Sequence, residues 1–158
     1  MENRTLQITY QSVSLDELNE VDRHLVEQAR QATYTSYAPY SHFSVGAAVL
    51  LDNGEVVAGS NQENAAFGAG TCAERSALFY AQSHYPDQPV RAIAIAARGV
   101  DGQFTAVPIS PCGICRQVLV EVQTRAQYPV RVILYGENEI WSIASVSDLM
   151  PFQFDSIV

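Results

Sequence analysis

The sequence predicts an α/β fold: a single domain on a mixed β-sheet of about five strands, with helices packed on both faces in three α/β/α layers. Three observations carry this expectation. The chain has 158 residues, the length of one ordinary domain, which can bury roughly 70% of the surface its unfolded form exposes. Its apolar periodicity switches between about 3.6 and 2 residues in the order α-β-β-α-β-α-β-β, which suits a mixed sheet covered by helices. Finally, "DNG" at residues 52–54 separates two apolar runs, a strong hairpin signal.

Each element follows in turn. Leu6, Ile8 and Tyr10 alternate in "TLQITYQ", so residues 5–11 read as a short strand-like arm. "SLDE" from Ser14 to Glu17 makes a capping box, and Leu15, Leu18, Val21, Leu25, Ala29 and Ala32 mark one helical face to about Thr35. "APYSHF" ends that helix. Residues 43–51 and 55–60 form the hairpin, followed by a loop rich in Asn and Gly. A helix then covers about 72–83, and a strand 92–97. A second cysteine-led helix spans about 112–123, with strands at 130–135 and 140–144 and a helical turn at 146–150. The expected division is an N-terminal extension at 1–13 and a catalytic domain at 14–158.

Composition narrows the function. The formal net charge is −8, so a nucleic-acid polymer or an anionic membrane would be repelled, whereas an uncharged small molecule would not. Charged residues make up 16% of the chain, against about 25% in an average protein. That shortage suggests surface buried between subunits. No apolar run approaches the roughly 18 residues of a membrane span. "MENRTLQITY" carries no apolar signal core, and three cysteines do not make a disulfide framework. The expected compartment is the cytoplasm.

The cysteines carry the chemistry. "PCGIC" sets Cys112 and Cys115 one helical turn apart, and "TCAE" places Cys72 at the start of another helix. Thr71 and Ser110 are the expected N-caps, with Pro111 tolerated in the first helical turn. Helix N-termini favour thiolate over thiol, so two helix tips can direct three sulfurs at one point. Alone, a C-x-x-C pair is commonly redox-active or incidental. Joined to "CAE", it fits the zinc deaminase signature with cysteine as the first ligand. Glu74 admits two readings, a capping box from Thr71 or a proton-transfer group beside the metal. The fourth ligand position is open to water, or to His42 in a closed structural site.

With these residues in view, the chain resembles the cytidine deaminase family, specifically its short-chain, usually homotetrameric type. "YAPYSHFSVGAAVL" is similar to that family's first strand and the loop before it. "GSNQENAAF" resembles its ribose-binding loop, "CAERSAL" its proton-shuttle helix, "PCGICRQVLVE" its second zinc helix, and "DLMPFQF" its C-terminal turn. The resemblance runs from about residue 20 to 155. Phe67 stands where the family often has tyrosine.

The resemblance implies one Zn²⁺ per subunit held by Cys72, Cys112 and Cys115, with Glu74 as proton shuttle. It implies hydrolysis of cytidine and deoxycytidine to uridine and deoxyuridine plus ammonia, in pyrimidine salvage, with zinc activating water toward C4. Asn61 and Glu63 would hold the ribose hydroxyls, Phe43 would stack on the pyrimidine, and the backbone at Ala73 would meet the base edge. Arg75 would hydrogen-bond the ligand sulfurs and withdraw some of the negative charge of three thiolates. Arg116 is a second candidate for that role, or a partner in a surface salt bridge. Phe154 or its neighbours would complete a pocket in an adjacent subunit, placing active sites near the interfaces of a homotetramer. A nucleoside antibiotic of the blasticidin type, polynucleotide editing and a zinc-stabilised scaffold are the competing readings.

Overall fold

Side-chain alternation sorts the strands into two cores. The structure, a computed structural model, describes residues 1–156. Six strands form one sheet: β1 (Gln11–Val13), β2 (Ser44–Leu51), β3 (Val56–Ser60), β4 (Val90–Arg98), β5 (Arg131–Tyr135) and β6 (Ile140–Ile143). They lie in the order β1-β6-β5-β4-β2-β3. Only β4 and β5 pair in parallel; all the other neighbours are antiparallel. The expected mixed sheet is present, with one strand more than the sequence suggested.

Three helices cover it: α1 (Glu20–Ala32), α2 (Ala73–His84) and α3 (Gly113–Ala126). Ala48, Ala92, Ala94, Ala96 and Ile133 point to one face and pack with Leu25, Val26 and Ala29 of α1. Their strand neighbours Ala47, Val49, Ile93, Ile95, Val132 and Leu134 point the other way. There they meet Ala77, Leu78 and Ala81 of α2 and Leu119 and Val120 of α3. The period of two in the strands is thus the physical origin of the three layers. Burying an aliphatic side chain of this size contributes about 1.5–3 kcal/mol.

Small residues set the helix positions. A Cβ on Gly59 would lie 2.6 Å from the Ala77 backbone nitrogen, so only glycine lets α2 sit this close to β3. Gly46 does the same for α1, where a Cβ would lie 2.1 Å from the Ala29 carbonyl oxygen. On the α1 side, buried Asp22 also accepts two 2.7 Å hydrogen bonds from Arg131 of β5. Helices α2 and α3 share one face of the sheet, which brings their N-terminal ends together.

Several expectations are corrected. The predicted first helix is two pieces. The Ser14–Glu17 box closes a 3-10 turn at Leu15–Glu17, and Leu18 is extended at φ −70° and ψ 142°. Helix α1 then restarts, with the Asn19 side chain accepting from the Asp22 N–H as its cap. Thr33–Thr35 is a further 3-10 turn rather than α-helix. The expected arm at 5–11 is not a strand. Residues 11–13, the last three of the expected extension, pair with β6 instead, and so belong to the sheet.

Candidate active site

The caps of α2 and α3 are Cys72 and Cys112 themselves, not Thr71 and Ser110. Both residues have extended backbones, φ −76° and ψ 156° for Cys72, φ −66° and ψ 165° for Cys112. Pro111 accordingly lies before the cap. An N-cap residue projects its side chain across the open end of the helix, toward the unpaired N–H groups of the first turn. Cys115, in the first turn of α3, points to the same place and is fully buried.

The three sulfurs converge. All lie within 4.8 Å of one another, and the Cys72 and Cys112 Sγ atoms are 3.9 Å apart. Tetrahedral zinc at about 2.3 Å from each thiolate requires sulfurs about 3.8 Å apart, so the donor set and spacing fit that metal. Burial, then the charges of Glu74 and Cys72, push the Cys115 thiol well above its ordinary pKa. Three bare thiolates are therefore disfavoured here, and loading a dication must displace protons. Arg75 donates to the Cys72 sulfur at 3.6 Å, which places its positive charge where the resemblance implied. His42 is exposed and does not join the cluster.

Glu74 is 4% exposed and lines a cavity of about 610 Å³ together with Cys72 and Cys112. It lies in the first turn of α2, just past the Cys72 cap, and so can share one cavity with Cys72. Residues two apart point away from each other in a regular helix, but Cys72 is not in the helix. Burial raises the Glu74 pKa; its own backbone N–H, the Cys115 thiol and Arg75 lower it less strongly. No side-chain cap from Thr71 closes this helix, so the capping-box reading of Glu74 is not what the fold uses.

The rest of the cavity comes from the 61–75 segment and two loops. Asn61, Glu63 and Ala73 all line it, as do Tyr40, Val45 and Ile109. The Asn61 Oδ1 accepts from the Val45 N–H at 2.8 Å and the Ser36 hydroxyl at 2.6 Å, while its Nδ2 donates to the Phe43 carbonyl at 2.9 Å. Glu63 Oε2 accepts from the Tyr40 and Ser41 N–H groups at 2.9 and 3.2 Å. The Ser41 side chain, then those backbone bonds, lower its pKa, so it is an anion.

Other expected residues fall elsewhere. Phe43 is half-buried just before β2 but is not among the residues lining the cavity, whose apolar walls include Val45 and Ile109. Phe67, on the cavity wall, meets Tyr40 edge-on with ring centres 6.0 Å apart. Among the described residues Arg116 makes no salt bridge. It donates to the carbonyls of Pro111 and Leu149, each at 2.8 Å, clamping the C-terminal turn to the base of the metal helix. Phe154 is exposed, and its carbonyl accepts from the Gln117 side chain at 2.7 Å. Sequence reading missed Val45, Ile109 and Ser36. Only Val45 left a signal, through its place in an alternating strand.

Known proteins are similar to this chain in sequence and fold. The family model described as the cytidine and deoxycytidylate deaminase zinc-binding region matches residues 19–130. A cytidine deaminase of Halalkalibacterium halodurans is 47% identical over 133 residues, covering 82% of this chain and 91% of its own. One from Sporosarcina psychrophila is 41% identical over 122 residues, covering 77% and 85%. Among solved structures, the cytidine deaminase of Burkholderia pseudomallei superposes with a TM-score of 0.71 at 39% identity, covering 83% of this chain and 97% of that one.

Proposed function

Because this chain belongs to the cytidine and deoxycytidylate deaminase family, we propose that it is a zinc-dependent cytidine deaminase. It hydrolyses cytidine and deoxycytidine to uridine and deoxyuridine with release of ammonia. The observation that carries this reading is the juxtaposition of three converging sulfurs and one buried carboxyl in a single cavity. The cavity volume lies within the usual 300–1,000 Å³ of small-molecule sites. The direct test is incubation with cytidine, following the fall in ultraviolet absorbance and the appearance of ammonia. An unchanged spectrum with zinc-loaded protein would overturn this reading and leave the antibiotic, polynucleotide-editing and zinc-stabilised scaffold readings.

Cys72, Cys112 and Cys115 would hold the metal. When bound, zinc acts as a Lewis acid that makes water a competent nucleophile near neutral pH. Glu74 takes a proton from the attacking water and delivers it to ring N3 as the bond to C4 forms. It later carries the remaining hydroxyl proton from the C4 oxygen to the amine, so that the C4–N bond breaks to give ammonia as the C4 carbonyl forms. A carboxyl with a raised pKa suits both giving and taking a proton. Ala73 contributes a first-turn N–H of α2, a free donor at the helix tip, to the base edge. Arg75 offsets thiolate charge at Cys72.

The sugar would be held by Asn61 and Glu63. Among the described residues, Glu63 Oε1 takes no hydrogen bond from the backbone, which leaves it for a hydroxyl donor. Glu63→Gln keeps an oxygen for the Tyr40–Ser41 loop but removes the charge, and a hydrogen bond to a charged group is worth about 1.5–3 kcal/mol. We expect KM for cytidine to rise about tenfold or more. KM for 1-methylcytosine, which has no sugar, should stay unchanged. Equal increases for both substrates would remove Glu63 from sugar recognition.

The reading extends to a homotetramer with active sites near its interfaces. Phe79 and Tyr80 on α2 and Ile114 on α3 are exposed large apolar groups on the metal helices, and exposed Phe154 is tied to α3 through Gln117. Sedimentation equilibrium should give four chains per particle; a monomer would contradict this part. Three free thiols as ligands suit a reducing compartment, consistent with nucleoside salvage in the cytoplasm. No helix among the described residues is long and apolar enough to cross a membrane.

A further inference from the structure

We propose that Ser36 is a positioning residue for sugar recognition, acting by restricting Asn61 to the role of hydrogen-bond donor. The proposal rests on the reading that Asn61 meets the ribose. A carboxamide has two acceptor lone pairs and two N–H donors. At Asn61 the Val45 N–H and the Ser36 hydroxyl occupy both sides of Oδ1, and the Phe43 carbonyl takes one Nδ2 hydrogen. Three of four functions are therefore spent on the protein. Among the described residues the one function left without a partner is an N–H, on a residue that lines the cavity.

Ser36 is the only one of those three partners supplied by a side chain, so it is the only one that evolution or mutation can remove without moving the backbone. Its segment is fixed against the binding loop. The Tyr37 N–H donates to the Asn61 carbonyl at 3.0 Å, and the Glu63 N–H donates to the Tyr37 carbonyl at 2.8 Å. Beside it, Thr35 and Ser60 hydroxyls lie 3.0 Å apart, and Gln62 donates to both the Thr35 carbonyl and Ser60. The Ser36 hydroxyl is thereby held against Oδ1.

The consequence is a division of labour at the sugar. A ribose hydroxyl accepts from Asn61 and donates to anionic Glu63, so each side of the hydroxyl has one assigned partner. Donation by Ser36 also polarises the amide and strengthens the remaining N–H as a donor. Without Ser36, one Oδ1 lone pair is left for water or for a competing donor, and the assignment is lost.

The test compares Ser36→Ala and Ser36→Thr on cytidine and on 2′,3′-dideoxycytidine, which lacks both sugar hydroxyls, with the thermal midpoint of each variant recorded. Ser36→Ala should raise KM for cytidine about 3- to 10-fold, the span of an ordinary hydrogen bond. Its kcat should stay within about twofold, and KM for the dideoxy substrate should not move. Ser36→Thr, which keeps the hydroxyl on an extended backbone of φ −62° and ψ 137°, should restore the KM for cytidine. A matching rise for both substrates, or no rise for either, overturns the role of Ser36. If the unmutated chain binds both substrates equally well, the underlying sugar reading fails, independently of any Ser36 variant.

Discussion

Glu74→Gln should retain one zinc per chain and yet lose about 10²- to 10⁴-fold in kcat, the span that a positioned proton-transfer group supplies. Glutamine matches the side chain in shape, so the cavity and the three sulfurs are left in place. What disappears is the ability to carry one proton from water to N3 and the remaining hydroxyl proton to the amine. The structure sharpens the prediction because Cys72, not Thr71, caps α2, so Glu74 has no Thr71 partner for a capping box. Stability should move the other way. An acid whose folded pKa is raised, as burial raises that of Glu74, destabilises the fold at every pH above its ordinary value, since the unfolded chain ionises it more easily. A neutral glutamine escapes that cost. Compared without metal, the variant should therefore melt at the same temperature as the parent or higher, in line with the usual opposition between active-site function and stability. Zinc analysis, a single-turnover assay and a melting curve together decide it. Activity near that of the parent would return Glu74 to an accessory role.

How much of this was legible in advance depended on the range of the interaction. The strands were readable because Ala47 to Val49 and Ile93 to Ile95 alternate faces, a local and periodic signal. The metal cluster was readable because "CAE" and "PCGIC" concentrate the relevant chemistry in two short stretches. Helix starts were read less well. Cysteine is not an expected cap, and nothing local says that Cys72 and Cys112 take the capping positions while Thr71 and Ser110 do not. The Ser14–Glu17 box is real, with the Ser14 N–H donating to Glu17 at 2.7 Å, but the pattern does not reveal that the turn it closes is a short 3-10 one. For Arg116 the sequence suggests either a partner for the ligand sulfurs or a surface salt bridge, because charge is visible in a sequence, whereas the carbonyls it clamps, at Pro111 and Leu149, are invisible. The Ser36–Asn61 bond spans 25 positions and joins two unremarkable polar residues, so only the fold exposes it.

Cys115→Ser should produce a folded protein without metal and without measurable turnover. Cys115 is the fully buried member of the sulfur cluster, and its replacement leaves two thiols and a hydroxyl. A serine hydroxyl must lose a far less acidic proton to become a ligand, and zinc prefers soft thiolate to alkoxide. Metal content should therefore fall from one equivalent to near zero at zinc concentrations that saturate the parent. The fold itself should survive, because the two cores on either face of the sheet are built mainly from aliphatic residues that take no part in the metal site's chemistry. Far-ultraviolet circular dichroism should be unchanged. The melting temperature should fall, because zinc that binds only the folded chain stabilises it by mass action, and that contribution is lost. His42→Ala provides the contrast. His42 lies outside the cluster, so this variant should keep its zinc, whereas a closed site with a histidine as fourth ligand would lose it. A second readout follows from the raised Cys115 pKa. Adding zinc to the metal-free parent in weak buffer should release protons as the thiols ionise, and Cys115→Ser should release fewer. Full zinc occupancy in Cys115→Ser, or lost zinc in His42→Ala, would overturn the three-sulfur site and with it the open corner on which the hydrolysis depends.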